Sequence, residues 1–302
     1  MSFSKRLPCV YDGFQLAHQD ARIPKASLRW FLICASEGTL FRTIGEFLKT
    51  LFLFTKSDFK TIIAPVTVII LSLNSPSLPL FMQTVFWTWL HVLQCALANQ
   101  TLSPEEDALN KPDRPIPAGR ISQESARLLR WFCIIPCLAL SSLYSATVFR
   151  ASACLTIFLI IYNELTFNSH WLSRNLLNGA GLACFEVGAT LISADDHTHL
   201  TPVAIKAVII SASVFLTTIH TQDFKDVVGD KEIGRLTLPM IFPKASRISI
   251  PILLSLWSLL LQWLWNTNQF VSNILVALSI FIGARFVFKT SIVADQRSFY
   301  PV

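Results

Sequence analysis

Charged side chains are scarce in this chain of 302 residues. Asp, Glu, Lys and Arg together make up 15% of it, whereas hydrophobic residues make up 52%. A soluble domain carries about a quarter charged residues, which it needs to cover its surface. The apolar residues also stand in long blocks rather than at the spacing of an amphipathic helix or strand. The sequence therefore predicts an integral membrane protein and excludes an ordinary soluble domain.

The amino-terminal stretch lacks the apolar core of a signal peptide. Residues 1–25 are polar throughout, so we expect the first membrane span itself to direct insertion. Further along, GTLFRTIGEFLKTLFLF over 38–54 has the amphipathic pattern of a helix that lies in the membrane interface. We therefore predict an N-terminal cytosolic or interfacial segment over 1–57 and a membrane domain over 58–302.

Cysteines at metal-ligand spacing are absent as well. None of the seven cysteines stands in a pair typical of zinc sites, and most fall inside or beside apolar runs. A buried free cysteine behaves as a small hydrophobic side chain. The sequence therefore predicts packed thiols and gives no support to a cysteine-based metal centre.

Long apolar runs are abundant instead. A membrane crossing needs about 20 residues, and the first and fourth runs, 58–74 and 151–167, are short for that length. Pro65 and Pro136 fall inside two of them, a position that membrane helices tolerate. The fold class that follows is an all-helical integral membrane bundle. Its predicted spans are 58–74, 79–98, 128–148, 151–167, 175–193, 202–221, 246–265 and 270–288.

Basic residues are distributed unevenly among the connections. Lys and Arg occur in the N-terminal region, in the long loops 99–127 and 222–245, and in the C-terminal tail. The connections on the other side of the membrane, 75–78, 194–201 and 266–269, contain no Lys or Arg. Arg150, between the third and fourth runs, is the one exception. The positive-inside rule therefore places both termini and the long loops in the cytosol, and we expect a multi-pass protein of the endoplasmic reticulum. The formal net charge of +6 is mostly this asymmetry and gives no reason to expect nucleic-acid binding.

Three aspartates follow the sixth apolar run. Asp223, Asp226 and Asp230 stand at i, i+3 and i+7, so they would share one face if the helix continued. Like charges on one face repel, and a bound cation relieves that repulsion. Carboxylate oxygens suit Mg²⁺, which also binds substrate phosphates. Gly229 and Gly234 permit a close approach or a turn.

Both long loops combine acids with bases. In the second loop, Lys225, Lys231 and Arg235 are donors for phosphate oxygens. The charge rule puts both loops on one side of the membrane, so together they suggest a receptor for a diphosphate with an apolar tail. The alternative is a pair of solvated loops that only set topology. The matching oxygen ligands and cations of the first loop are Asn99, Glu105, Glu106, Asp107, Lys111, Arg114 and Arg120.

The two loops resemble the signature motifs of the UbiA superfamily of membrane prenyltransferases. The second motif of that family has three Asp at this same spacing, followed by Gly-x-x-Thr-Leu-Pro, as in DFKDVVGDKEIGRLTLP here. The first contains Asn-Lys-Pro-x-Arg-Pro-x-Pro-x-Gly, as in NKPDRPIPAG. The resemblance covers the chain from about residue 58 onward. Residues in register with the first motif are Asn99, Asp107, Asn110, Lys111, Pro112, Arg114, Pro115, Pro117 and Gly119.

The resemblance implies a UbiA-like bundle of eight or nine transmembrane helices around a central cavity. It implies Mg²⁺ as the cofactor, a prenyl diphosphate as the substrate and 58–302 as the catalytic domain. The implied metal-binding residues are Asn99, Asp107, Asp223, Asp226 and Asp230. The implied diphosphate-binding residues are Lys111, Arg114, Arg174, Lys225, Lys231 and Arg235.

The first motif departs from the family at two positions. Gln100 and Ser103 stand where the family has Asp, so a neutral side chain replaces an expected anionic ligand. Glu105 and Glu106 are candidate replacements, and Ser103 is a candidate supporting ligand.

Four further residues are candidates for the cavity wall. Glu186 falls in the middle of a span, where a carboxylate is costly and suggests function. The alternative is a protonated acid that bonds to a neighbouring helix. Trp87 and Phe185 could shield a carbocation with their π faces, with core or lipid packing as the alternative. Tyr162 stands at the end of a span that should face the cytosolic loops.

The altered first motif and YNELTFNSHWLSRNLLNGAGLACFEVGA over 162–189 most resemble a fungal branch of the family that includes a membrane terpene cyclase. This implies Mg²⁺-dependent ionisation of a prenyl diphosphate, with farnesyl diphosphate as the favoured substrate. The resulting carbocation would then be attacked by a double bond of the same chain. Transfer to an aromatic or polyketide acceptor is the alternative. A transporter is less favoured, because the spans show no internal repeat and the acids lie in loops rather than at the midplane.

Overall fold

The computed structural model describes residues 42–299. Nearly all of these residues are helical, and the one β-type pairing among them is an isolated bridge between His170 and Leu236. The chain divides into two units, Met1–Leu48 and Lys49–Val302. Residues 1–41 of the predicted N-terminal segment lie outside the described residues, and 42–48 are helical.

The helices of the described residues are connected mostly by short turns. In chain order they are α1 (42–55), α2 (Ala64–Leu73), α3 (Leu78–Leu102), α4 (Pro104–Asn110), α5 (Gln123–Ser142), α6 (Ala146–Asn163), α7 (Trp171–Ser193), α8 (Pro202–Thr218), α9 (Val227–Glu232), α10 (Leu238–Ile241), α11 (Pro243–Trp265), α12 (Gln269–Phe288) and α13 (Ile292–Phe299).

Seven helices of the described region are long and apolar enough to cross a membrane. They are α3, α5, α6, α7, α8 with its extension to Gln222, α11 and α12. These correspond to seven of the predicted spans, which confirms the all-helical membrane bundle. The remaining predicted span, 58–74, is the shorter apolar stretch Phe59–Leu73, which consists of a π-helical segment, Phe59–Ile63, followed by α2.

The turn between α5 and α6 lies earlier than the sequence indicates. The hydroxyl of Ser145 accepts a hydrogen bond from the Val148 amide at 3.1 Å and so caps the start of α6. Arg150, which was expected in a connection, therefore lies inside α6, where its Nε donates to the Ala146 carbonyl at 3.2 Å. An uninterrupted apolar block hides such a boundary, and the capping serine is the signal that marks it.

The centre of the bundle is filled by Trp87 of α3. Its side chain is fully buried, and its Nε1 donates to the Ser141 hydroxyl of α5 at 2.8 Å. The ring packs so closely on Gly188 of α7 that a Cβ there would lie 2.2 Å from it. Small residues allow membrane helices this approach. Trp87 thus corresponds to the core-packing alternative: it lies between three helices and is not among the residues that line the cavity.

The C-terminal helix α13 is held against the bundle by an ion pair. Both terminal nitrogens of Arg247 contact the carboxylate of Asp295, at 2.8 and 2.7 Å, and Asp295 is buried. The end of this helix brings Phe299 to the cavity, where its ring lies 5.2 Å from Lys225 Nζ. The last described residues thus form a short helix beside the site.

Candidate functional site

A cavity of about 430 Å³ lies among α3, α6, α7 and α8. Charged residues from the loops surround its mouth, and apolar residues lie further along the helices. On α7, for example, Arg174 is near the mouth and Phe185 is about 16 Å further along by helix rise. Apolar residues of the lining include Ile62, Leu155, Phe158, Leu159, Leu177, Leu182, Phe185, Phe215 and Ile219.

The first loop forms one side of the mouth. It begins with the short helix α4, which carries Asp107 into a buried position. Arg114 Nη1 contacts Asp107 Oδ1 at 2.6 Å. The Lys111 amide donates to the Asp107 carbonyl at 2.7 Å, and Gly119 takes a positive φ of 69° to complete the turn. The proline-rich stretch is therefore a compact loop that holds Lys111 and Arg114 close to Asp107.

The second loop breaks the helix that the aspartates were expected to extend. After α8 the chain tightens into a 3₁₀ turn, Ile219–Gln222, and α9 begins only at Val227. The continuous helix on which Asp223, Asp226 and Asp230 would have shared one face is therefore not formed. The break lets each carboxylate reach a different cation, so the three like charges are not stacked on one face.

Ion pairs join the two loops across the mouth. Arg235 Nη1 lies 3.0 Å from Glu106 Oε2 of the first loop and 2.6 Å from Asp230 Oδ1 of the second. Asp226 Oδ2 is 2.7 Å from Lys225 Nζ and 3.4 Å from Lys111 Nζ. Acids and bases of both loops thus form one network.

The close approach of the loops depends on a glycine. A Cβ on Gly229 would lie 2.3 Å from Asn110 Nδ2 and 2.9 Å from Glu106 Cγ. The side-chain amide of Asn110, through Nδ2, in turn donates to the backbone carbonyl of Asp226 at 3.3 Å. Gly234 instead supplies a turn, with φ of 69°. The sequence predicted a close approach or a turn at these two glycines. Gly229 provides the close approach and Gly234 provides the turn.

Arg174 is brought to the mouth by a pairing of backbones. The Leu236 amide donates to the Ser169 carbonyl at 2.7 Å, and the Trp171 amide donates to the Leu236 carbonyl at 2.9 Å. This fixes the start of α7 beside the second loop. Arg174 then donates to Tyr162 Oη at 2.8 Å and to Asp223 Oδ1 at 3.0 Å, so the arginine spans α6 and the second loop.

The carboxyl groups of the network differ in acidity. Burial raises the pKa of Asp230 to about 6, although Arg174 and Arg235 oppose it. Burial also raises the pKa of Asp107, against the effect of Arg114. Burial acts in the same direction on Asp226, but Lys111 and Lys225 outweigh it, and the pKa of Asp226 is lowered. An unshielded buried carboxylate favours a proton or a further cation.

Several buried polar atoms of the mouth have no hydrogen-bond partner within the described residues. They include Oδ2 of Asp107, Oδ2 of Asp230 and Nε of Arg174. Buried polar atoms are usually satisfied, so these atoms point to a ligand with both positive and negative parts. Hard carboxylate oxygens suit Mg²⁺, and the guanidinium suits phosphate oxygens. The side chains present therefore fit the implied Mg²⁺ and diphosphate.

No group of three or more His, Cys, Asp or Glu side chains in the described part of the chain is arranged to hold a metal by itself. Mg²⁺ is commonly bound through one or two carboxylates together with substrate phosphates rather than by an all-protein cage. The arrangement at the mouth is compatible with that mode of binding, because its acids are paired with cations of the same site.

Most of the residues predicted from the sequence meet at this mouth. Asp223 and Asp230 lie just behind the cavity surface, buried against Arg174 and Arg235. The predicted residues that line the cavity are Asn99, Glu106, Asp107, Lys111, Arg114, Tyr162, Arg174, Phe185, Lys225, Asp226 and Arg235.

Other predicted residues lie elsewhere. Glu105 and Lys231 are exposed on their short helices, and Ser103 is the residue before α4; none of them lines the cavity. Glu186 is fully buried and accepts a hydrogen bond from Ser211 of α8 at 2.5 Å. It thus corresponds to the helix-bonded alternative, outside the cavity wall.

Sequence reasoning missed Asp58 and Phe299, which also line the cavity. Asp58 stands at the start of the first apolar run, on the side of the membrane assigned to the acidic loops, and this position was a usable signal. Phe299 had no such signal, because only the fold of α13 brings it back to the mouth.

A second cavity of about 460 Å³ adjoins the first and shares Lys111, Arg114, Lys225 and Asp226 with it. Its wall adds Lys56 and Lys60, so the surroundings of the mouth are strongly cationic.

The chain is similar to known proteins over most of its length. The profile of the UbiA prenyltransferase family matches residues 61–301. The fumagillin beta-trans-bergamotene synthase of Aspergillus fumigatus is 32% identical over 237 residues, which cover 78% of this chain and 81% of that protein. The somaliensene A/B synthase of Streptomyces somaliensis is 29% identical over 211 residues, 68% of this chain and 69% of that protein.

The fold is also found among solved structures. A UbiA homolog from Archaeoglobus fulgidus, solved bound to GPP and Mg²⁺, superposes with a TM-score of 0.65 at 16% identity. The match covers 83% of this chain and 94% of the archaeal one. At this identity the similarity establishes the helical fold.

Proposed function

Since the chain belongs to the UbiA prenyltransferase family, we propose that it is a membrane terpene cyclase that ionises farnesyl diphosphate and closes its chain to a sesquiterpene. One observation carries the proposal: the cavity has a mouth lined by paired acids and bases and an interior lined by aliphatic and aromatic side chains. A diphosphate with a hydrocarbon tail has the same division of polarity.

The cations of the mouth bind the diphosphate. Arg114, Arg174, Lys225 and Arg235 all line the cavity, and each is already paired with an acid. Charge-assisted bonds from guanidinium groups suit phosphate oxygens. Pre-positioned donors of this kind stabilise the negative charge that grows on the leaving group.

Asn99, Asp107, Asp226 and Asp230 are the residues that would hold Mg²⁺, assisted by Asp223 behind them. When bound, the metal neutralises the charge of the departing diphosphate. The carboxylates also hold the neighbouring cations in place, so that the loops form one rigid mouth.

The interior directs the hydrocarbon. As the bond between C1 and the diphosphate oxygen breaks, the electron pair leaves with the diphosphate and an allylic cation remains. Phe158, Phe185 and Phe215 line the cavity, and their π faces attract a cation. The apolar wall excludes water, so a double bond of the same chain attacks the cation. A proton on a carbon beside the new cationic centre then passes to the released diphosphate, which leaves the neutral hydrocarbon.

We favour cyclisation over intermolecular transfer because two of the relatives are named as synthases of terpenes. Intermolecular prenyl transfer to an aromatic acceptor is the second candidate, since the family itself is described by that reaction. The two differ in whether an acceptor is required.

We expect microsomes containing this protein to convert farnesyl diphosphate to a cyclic C15 hydrocarbon with Mg²⁺ and without acceptor. Gas chromatography–mass spectrometry of solvent extracts measures the product. The hydrocarbon should disappear with EDTA and return when Mg²⁺ is added in excess. A product that forms only when an aromatic acceptor is present would replace cyclisation by transfer.

We further propose that the mouth faces the cytosol of an endoplasmic reticulum membrane. The support is the excess of Lys and Arg in the loops of the mouth. In sealed microsomes, added protease should remove a tag fused to the C-terminus. A tag that stays protected until detergent is added would contradict this orientation.

A further inference from the structure

Asp58 occupies an unusual piece of backbone beside the mouth. It precedes the π-helical segment Phe59–Ile63, in which the Ala64 amide donates to the Phe59 carbonyl. Pro65 follows and has no amide to continue a regular α-helical ladder. π-Helical turns are rare and occur often at functional sites.

Asp58 lies at the same cavity as the ligands predicted from the sequence. It lines the cavity together with Asn99 and Asp107. Arg114 and Lys111 line the same cavity and favour the charged form of the Asp58 carboxylate.

The start of the first loop has no carboxylate at positions 100 and 103, where Gln100 and Ser103 stand. Gln100 is buried, and its Nε2 donates to the Phe54 carbonyl at 2.9 Å, so it is used in packing. Ser103 does not line the cavity. The two positions where the family resemblance places acids therefore present none to the mouth, while Asp58 presents one from a different helix.

We propose that Asp58 is a ligand of the divalent metal at the mouth and replaces the carboxylate that the first loop lacks at Ser103. This inference rests on the proposed function only in that both require a diphosphate and a metal to bind here. The other role that the contacts allow is electrostatic: Asp58 would only offset the charges of Arg114 and Lys111.

The two roles predict opposite responses to Asp58→Asn. A lost metal ligand should raise the Mg²⁺ concentration needed for half-maximal binding of inorganic pyrophosphate, by at least about tenfold. A lost counter-charge should instead tighten pyrophosphate binding without metal and leave the Mg²⁺ midpoint unchanged. The latter result would overturn the proposal.

Calorimetric titration of the full-length protein in detergent with pyrophosphate, at a series of Mg²⁺ concentrations, measures the midpoint without any turnover. Asp113→Asn is the matched control, because Asp113 lies in the first loop between the same two cations but is exposed and lines only the adjoining second cavity. Its midpoint should stay within about twofold, since an exposed charge has a weak effect.

Asp58→Glu is the second variant and keeps a carboxylate at the site. It should recover part of the Mg²⁺ response that Asp58→Asn loses; recovery no better than with Asn would overturn the assignment. If the wild type binds Mg²⁺ and pyrophosphate but forms no product from farnesyl diphosphate, the proposed function fails while the role of Asp58 stands. If the wild type shows no Mg²⁺-dependent binding, both fail.

Discussion

Asp230→Asn is expected to lower Mg²⁺-dependent product formation from farnesyl diphosphate by about 10²- to 10³-fold, the cost of losing one preorganised group that stabilises transition-state charge. Asp230 is fully buried behind the mouth, and its Oδ2 has no partner within the described residues. Its other oxygen contacts Arg235 at 2.6 Å. The free oxygen is the feature that suits a metal, and asparagine would replace the carboxylate by a neutral amide.

The substitution should leave the fold intact. Removing one partner of a buried ion pair usually costs about 3–5 kcal/mol, because the other charge is left uncompensated. Arg235 keeps a second partner here, since Glu106 lies 3.0 Å from the same nitrogen. The variant is therefore expected to elute from size exclusion as the wild type does, so that lost turnover reports on the site.

Glu232→Gln is the matched control for this prediction. Glu232 ends the same short helix, α9, but is exposed, and its charge is screened by solvent. Turnover should stay within about twofold of the wild type. If Asp230→Asn retained full Mg²⁺-dependent activity, Asp230 would have to be removed from the metal site.

The sequence predicts the helical bundle and the chemistry of its mouth from two kinds of pattern. Apolar runs of about 20 residues have few alternatives to membrane helices. Acids and bases concentrated in two loops on one side then have to meet at one end of the bundle. The structure places Asp107, Asp226 and Arg235 together, as this reasoning requires.

The detailed pairing could not be predicted because it depends on the backbone between the helices. Spacing alone suggested one helical face for Asp223, Asp226 and Asp230 if the helix continued, but the helix ends before them, and α9 begins only at Val227. Trp87 and Phe185 are both aromatic residues in apolar runs, so composition does not distinguish them. Only packing shows that the first fills the core and the second lines the cavity.

Arg174→Lys is expected to lower turnover by about a hundredfold while leaving the protein folded. The guanidinium of Arg174 donates to Tyr162 Oη and Asp223 Oδ1 with two different nitrogens, and its Nε has no partner within the described residues. The planar fork thus joins α6 to the second loop and still offers a donor to the diphosphate. Lysine carries the same charge but cannot reproduce a fork.

The conservative substitution separates geometry from charge. Because lysine keeps a cation beside buried Asp223, the variant avoids the cost of an unpaired carboxylate. Arg150→Lys is the control, since Arg150 is exposed near the start of α6, about 20 Å from the mouth by helix rise. Initial rates with farnesyl diphosphate, compared at equal amounts of folded protein, test the pair. Equal rates for both variants would mean that the mouth needs only the positive charge of Arg174, and its donor geometry would then play no part in binding the diphosphate.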